Sequence, residues 1–264
     1  MDLGLKGKTA VVSGSTAGIG LAIATALAAE GASVVINGRT EARVNAAVEK
    51  IRGEVAGAQA RGVAADLGTL DGVKTFLNNA PKADILVNNL GIFEVKLFAE
   101  ITDADWLRFF EVNVLSGVRL ARYYLPIMRE KNWGRVIFIS SESAANIPVE
   151  MIHYGVTKTA QVAVARGLAE SVVGTGITVN SILVGPTASE AAGKFLREVA
   201  KQQGVPIAHV GKEFFEKVRP SSLLRRFEEP EEVAAVVTFV ASVQGAIING
   251  AALRAEGGVV RSVL

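Results

Sequence analysis

Short runs of β-branched and other apolar residues, each closing on Gly, Asn, Ser or Asp, alternate along the chain with longer alanine-rich segments. Six such runs are KTAVVSG, SVVING, RGVAAD, DILVNN, GRVIFISS and GITVNSI, and NGAALRA near the end is a seventh. Runs apolar on both faces suit strands covered from both sides, as in a parallel sheet. The stretches between them, such as LAIATALAAEG and PEEVAAVVTFVAS, have helical length and spacing. The pattern predicts an α/β protein with a doubly wound, seven-stranded parallel sheet and helices on both faces.

No repeat, low-complexity tract or linker divides the 264 residues, so one domain over 1–264 is expected. The alternation lapses longest between 186 and 230, where AAGKFLREVAKQ and EFFEKVRPSS have helical character of their own. Long connections of this kind usually cover a site, which predicts a lid at about 188–222.

Composition removes several classes of function. Twenty-eight basic against twenty-six acidic residues leave a net charge of +2, which implies no nucleic-acid partner. The absence of cysteine rules out disulfides, a thiolate nucleophile and cysteine-ligated zinc. The two histidines, His153 and His209, stand in unrelated contexts, so no metal is expected. MDLGLKGKTA lacks the marks of a secretory signal and no apolar run approaches the ~18 residues of a membrane span, so a cytoplasmic protein without a membrane partner is expected. FFEKVRP mixes aromatic and basic residues; a lid helix and an amphipathic anchor are its alternatives.

Chemistry enters at the strand ends. SGSTAGIG places Gly14, Gly18 and Gly20 between the first strand and the first helix, with Ser15, Thr16 and Ile19 among them. Glycines there let the backbone approach a pyrophosphate, and the helix N-terminus offers free N–H groups, although such turns also arise for steric reasons alone. The second strand ends Asn37-Gly38-Arg39. An acid at this point binds a free ribose 2′-hydroxyl, whereas an arginine accommodates a 2′-phosphate. NADP(H) is therefore preferred and NAD(H) remains possible; the bland alternative for Arg39 is a solvated loop arginine.

HYGVTK sets Tyr154 four positions before Lys158, on one face if the segment is helical. An unperturbed phenol titrates near pH ~10, and an adjacent ammonium draws that value down toward working range. The same spacing is commoner on a solvated helix face. Ser141 closes GRVIFISS at the carboxyl edge of the sheet, where a hydroxyl can hold a carbonyl oxygen. Asn113 is a polar amide between valines and wants a hydrogen-bond partner.

Taken together, SGSTAGIG, NNLG at 88–91, Asn113, Ser141, Tyr154-x3-Lys158 and the closing INGAALRAEGG resemble the short-chain dehydrogenase/reductases, single-domain type, similar to 3-oxoacyl-acyl-carrier-protein reductases, over nearly the whole chain. The resemblance implies a Rossmann-type fold and a tetrad. Tyr154 would be the acid/base and Ser141 would polarise the carbonyl. Lys158 would bind the nicotinamide ribose and lower the tyrosine pKa, and Asn113 would hold a proton-relay water. It further implies that Asp66 and Leu67 meet adenine, Asn88 lies near the adenosine ribose, Gly91 binds the cofactor, Ile19 meets the pyrophosphate, and Gly185 and Thr187 meet the carboxamide. Leu90 stands where the family usually carries alanine, and Val184 where many members carry proline.

An NADP(H)-dependent oxidoreductase acting on a small-molecule carbonyl or secondary alcohol is expected, as a homotetramer or homodimer with RSVL at the interface. The alternative is a catalytically silent nucleotide sensor or scaffold of the same fold. Ile147, Met151, Phe195, Phe214 and Phe215 point to an apolar pocket, or simply to a packed lid.

Overall fold

The computed structural model describes residues 1–263, without the side chain of Ala191. All seven expected strands form: β1 Thr9–Val12, β2 Ser33–Gly38, β3 Ala60–Ala64, β4 Ile85–Asn88, β5 Gly134–Ser141, β6 Ile177–Val184 and β7 Ala252–Ala255. They pair throughout in parallel, in the order β3-β2-β1-β4-β5-β6-β7. The strand order reverses between β1 and β4, and in such sheets ligands bind in the crevice beyond the carboxyl ends at this point.

Strand side chains alternate between two apolar cores, one on each face of the sheet. Val12, Val34, Ile36, Ile85 and Val87 pack with Ile23 and Leu27 of α1 (Gly18–Ala29), Val48 and Ile51 of α2 (Glu41–Glu54), and Val237 of α9 (Pro230–Ala241). Val11, Val35, Leu86 and Val136 pack with Phe76 of α3 (Leu70–Asn79), Leu120 and Met128 of α5 (Ser116–Glu130), and Ala165 of α6 (Ile152–Ser171). Helix α4 (Asp103–Phe110) runs into α5 through a π-turn, Glu111–Leu115.

Between β6 and α9 the chain forms α7 (Glu190–Gln203), α8 (Ile207–Glu213) and a second π-turn, Phe214–Val218. Helix α7 starts at a Ser189 cap and ends at Gly204 in the left-handed region, where no Cβ clashes. The aromatic residues of FFEKVRP turn toward each other, Phe214 stacking on Phe227 at 5.3 Å and Phe215 meeting both edge-on. Among the described residues no helix is long and apolar enough to cross a membrane.

Candidate active site

The glycine turn after β1 is held by side chains that point away from the cleft. Asn89 Nδ2 donates to the carbonyls of Ser13 (3.0 Å) and Gly14 (2.9 Å), and Ser13 Oγ accepts from the N–H groups of Asn89 and Leu90. Asn37 Oδ1 accepts from the Gly14 N–H at 3.2 Å while its Nδ2 donates to Val63 and Ala65. Gly14 has φ of 60°, and a Cβ there would come within 3.1 Å of the Leu90 backbone. Gly20 is tighter: its Cβ would stand 2.4 Å from Asn89 Nδ2. Glycine thus serves close packing as well as access.

The turn also fits a dinucleotide phosphate. The N-cap of α1 is Ala17, without a side-chain bond and with no acid in the first turn, so the helix presents bare N–H groups. By contrast, Thr69, Thr102 and Ser189 cap α3, α4 and α7 with their hydroxyls. A Cβ at Gly38 would collide with the Thr16 methyl at 2.4 Å, so an acid at that position has no room. Arg39 is exposed just beyond, and among the described residues no ion pair holds it.

The side chains of three of the expected cofactor residues are buried in the protein. Ser15 is fully buried, its hydroxyl donating to the Val12 carbonyl at 2.6 Å and accepting from the Asn37 N–H at 2.9 Å, so this side chain ties β1 to β2 and does not face the cleft. The Asn88 amide is buried against Gly117 of α5, with neither polar atom bonded. Leu67 lies in the core, leaving the exposed Asp66 at the surface, where its Oδ1 accepts from the Gly68 N–H. Gly91 does lie at the reaction end, where a Cβ would approach Lys158 Nζ at 3.4 Å.

At that end, Ser141 is the last residue of β5, and Tyr154 and Lys158 stand one turn apart on α6. Ser141 Oγ accepts from the Ser143 N–H at 3.1 Å, which leaves its own proton free to point elsewhere. Lys158 Nζ donates to the Ile139 carbonyl at 2.9 Å and lies 5.6 Å from the centroid of the Tyr154 ring. Burial pushes the Tyr154 phenol up to about 12, opposed by a hydrogen bond with Ser141, and burial brings Lys158 down to about 8. The ammonium sits beside the ring, and desolvation of the phenolate outweighs the opposing influences.

Asn113 lies in the π-turn, a local widening of the helix that often marks a functional site. Its Oδ1 accepts from the Ile92 N–H (2.8 Å) and its Nδ2 donates to the Ile92 carbonyl (3.0 Å) and to Thr157 Oγ1 (2.9 Å). The Asn113 main-chain carbonyl accepts from Gln161 Nε2 at 2.5 Å. The side chain therefore pins the segment following NNLG to α6, with its hydrogen-bonding groups engaged by protein.

Ser141 and Tyr154 open on a cavity of about 740 Å³ whose wall includes Ile19 from the glycine turn and Gly185 and Thr187 after β6. Met151, Phe195 and Phe214 line it as the sequence pattern indicates; Ile147 and Phe215 do not. Phe93, Val95, Phe227 and the charged Glu142, Glu150, Lys217 and Arg219 line it as well. Glu142 stands out in the sequence only as the neighbour of Ser141, and its pairing with Arg219 is not legible there because 77 positions separate the two. Thr187 Oγ1 donates to the Gly185 carbonyl, and the loop is bridged to Glu228. Among the described residues no group of three or more His, Cys, Asp and Glu could hold a metal ion.

A doubly wound sheet with a glycine turn at its switch point and a Ser–Tyr–Lys group at its carboxyl edge is a Rossmann-type oxidoreductase architecture. The chain belongs to the short chain dehydrogenase family, whose model matches residues 8–200. It is 48% identical over 263 residues, the full length of both chains, to the uncharacterized oxidoreductase YvaG of Bacillus subtilis. It is 32% identical over 258 residues to the D-beta-hydroxybutyrate dehydrogenase of Cupriavidus necator, covering 96% of this chain and 98% of that one. The L-sorbose reductase of Gluconobacter frateurii, solved with NADPH and L-sorbose, superposes with a TM-score of 0.94 at 32% identity over the whole of both chains. Membership makes this chain an oxidoreductase of CH–OH and C=O groups.

Proposed function

We propose that the protein is an NADP(H)-dependent oxidoreductase that interconverts a ketone and a secondary alcohol, with Tyr154 as the acid/base. The carrying observation is that Ser141 and Tyr154 share one cavity with Ile19 of the glycine turn and with Gly185 and Thr187. Gly14, Thr16, Gly18, Gly20, Arg39, Asp66 and Gly91 would hold the dinucleotide, with Ser15, Leu67 and Asn88 supporting it from behind. When bound, the nicotinamide supplies or takes the hydride.

In the reducing direction the Ser141 hydroxyl donates a hydrogen bond to the substrate oxygen and orients it. Tyr154, held protonated by burial, gives that oxygen its proton. The Lys158 ammonium, fixed by Ile139, favours the phenolate left behind and sits where the cofactor ribose would lie. Asn113 keeps the Ile92 segment against α6 and so keeps Lys158 in place. In oxidation the same groups run in reverse, Tyr154 accepting the alcohol proton.

The preference for the 2′-phosphorylated cofactor is carried by the unpaired Arg39 and the crowded Gly38, and the NADPH complex of the sorbose reductase supports it. Residues 188–222 would act as a lid within one nucleotide-binding domain spanning 1–264. A cytoplasmic homotetramer or homodimer completes the reading by family resemblance; the last residue of RSVL, Leu264, lies outside the described residues.

Fluorescence titration with NADPH and NADH, for the native protein and Arg39→Asp, tests the reading. NADPH is expected to bind at least ~10-fold more tightly than NADH, a preference that Arg39→Asp removes. Failure of both nucleotides to bind sinks the reductase reading and the silent-sensor alternative together.

A further inference from the structure

The cavity contains a charged group for which the proton and hydride chemistry has no use. Glu142 follows Ser141 directly and is 3% exposed; Arg219, at the end of the second π-turn, is 7% exposed. Arg219 Nε donates to Glu142 Oε1 at 2.8 Å, and Nη1 donates to Glu150 Oε1 at 3.3 Å and to the Val218 carbonyl at 3.0 Å. These bonds leave Nη2 as the remaining donor of the guanidinium. The second oxygen of Glu142 is buried without a partner, and burial raises the pKa of this carboxyl against the pull of Arg219.

Two carboxylates share one guanidinium, so the group carries a net charge of −1, read from the three side chains. Lys217, which also lines the cavity, is matched by Glu213. Replacing a buried ion pair with apolar residues is often neutral or stabilising, so stability alone is a weak reason for this one. Its position is more telling. Glu142 neighbours the residue that would hold the substrate oxygen, and Glu150 lies four positions before Tyr154.

We propose that Glu142, Glu150 and Arg219 select the substrate: an uncharged ketone, or its alcohol, whose chain bears a hydroxyl near the reacting carbon, in preference to an oxo acid. The inference deepens the reductase reading and rests on it. A hydroxyl both donates and accepts, whereas the free N–H of Arg219 only donates and the Glu150 carboxylate only accepts; side by side they match both functions of one hydroxyl. A methyl in that position leaves the pair unanswered, and a site built to bond a hydroxyl rejects the analogue that lacks it. A carboxylate there meets a net negative group in a low-dielectric wall, where Coulomb repulsion is poorly screened. Phe93, Phe195 and Phe214 take the apolar remainder of the molecule.

Three aryl ketones of one skeleton separate these effects: 3-hydroxypropiophenone, propiophenone and benzoylacetate, ending in a hydroxyl, a methyl and a carboxylate. With NADPH, kcat/KM is expected to fall in that order, by ~10-fold or more from first to last. Glu150→Gln, at a half-buried position, and Glu142→Gln, which keeps the shape of the side chain, should each narrow the gap between benzoylacetate and the hydroxy ketone by ~10-fold. Binding of the three ketones to the NADPH complex, followed by nicotinamide fluorescence, gives the same ranking apart from turnover. The selection is overturned if benzoylacetate is the preferred ligand, if the hydroxy ketone does not bind, or if neither variant moves the ratio. Absence of NADPH binding overturns the reductase reading instead, so the two failures are told apart.

Discussion

The two ends of the cleft solve opposite problems. At the nucleotide end Ser13, Ser15, Asn37 and Asn89 spend their hydrogen bonds on the backbone of the glycine turn, and none of their side-chain polar atoms is left buried and bare. At the substrate end the buried Glu142 Oε2 lacks a partner, and outside the cavity wall Glu228 Oε1 and both ring nitrogens of His153 are bare too, as are both amide atoms of Asn88 behind the nucleotide end. Neutral amides and hydroxyls fix one backbone shape, which suits a ligand that never changes. Unanswered charges cost stability and are retained where a ligand or a proton is the missing partner. The difference separates what the fold prepares in advance from what it leaves for the substrate to complete.

The largest effect that sharpens this comparison comes from Tyr154→Phe. Removing the hydroxyl takes away the proposed proton donor while the ring keeps its edge-on contact with Phe93 at 6.4 Å. The rate of carbonyl reduction is expected to fall by about 1,000-fold, with NADPH affinity nearly unchanged. An equal loss of cofactor affinity, measured by the same fluorescence titration, would mean that Tyr154 is part of the nucleotide end.

A smaller effect tests the prepared end. Asn89→Ala frees the carbonyls of the buried Ser13 and the half-buried Gly14 and opens a gap beside Gly20. Stability should drop by about 2 kcal/mol in urea unfolding, and NADPH affinity should weaken with it. The ratio of kcat/KM for one ketone against another should stay put, since Asn89 does not line the cavity. A change in that ratio would break the division between the two ends.

The same division marks what the sequence could say. SVVING is a strand from end to end, because a β-branched run closing on glycine has no competing period, and Tyr154 and Lys158 share a face because helical spacing requires it. Local pattern also locates the glycine turn. It does not say which hydroxyl of Ser13, Ser15 and Thr16 looks into the cleft, since that depends on how β1 packs against β2 and β4. Nor does spacing reveal the electrostatics of Tyr154, where burial outweighs its neighbours. Arg219 with Glu142, and Glu228 with Gly185, come together only when the segment after β6 folds back. Their chemistry lay in the sequence, but their partnership did not.

Glu228 offers the finest test of the comparison. Its main chain bonds Pro186 and Ala188, and its Oε2 accepts from the Gly185 N–H at 3.2 Å, so one residue braces the whole Gly185–Thr187 loop. Its Oε1 lies beside the position a Gly185 Cβ would take, close to the Glu256 carbonyl. Burial raises the carboxyl to about 7; the Gly185 N–H opposes this, and the charges of Glu256 and Glu232 add to it. Arg226 is engaged by Glu232, and Arg254 reaches Glu256 at 3.9 Å. The folded protein thus holds this proton more tightly than the unfolded chain does. Glu228's stabilisation is complete below the ordinary carboxylate range and is lost as pH rises through about 7. Thermal unfolding of the native protein between pH ~5 and ~8.5 should therefore show stability falling by about 1–2 kcal/mol from this group. Glu228→Gln keeps an acceptor for Gly185 and cannot ionise, so its curve should be flatter and should cross above the native one at the alkaline end. If both proteins follow the same slope, the bare oxygen of Glu228 carries no charge that the fold must bear.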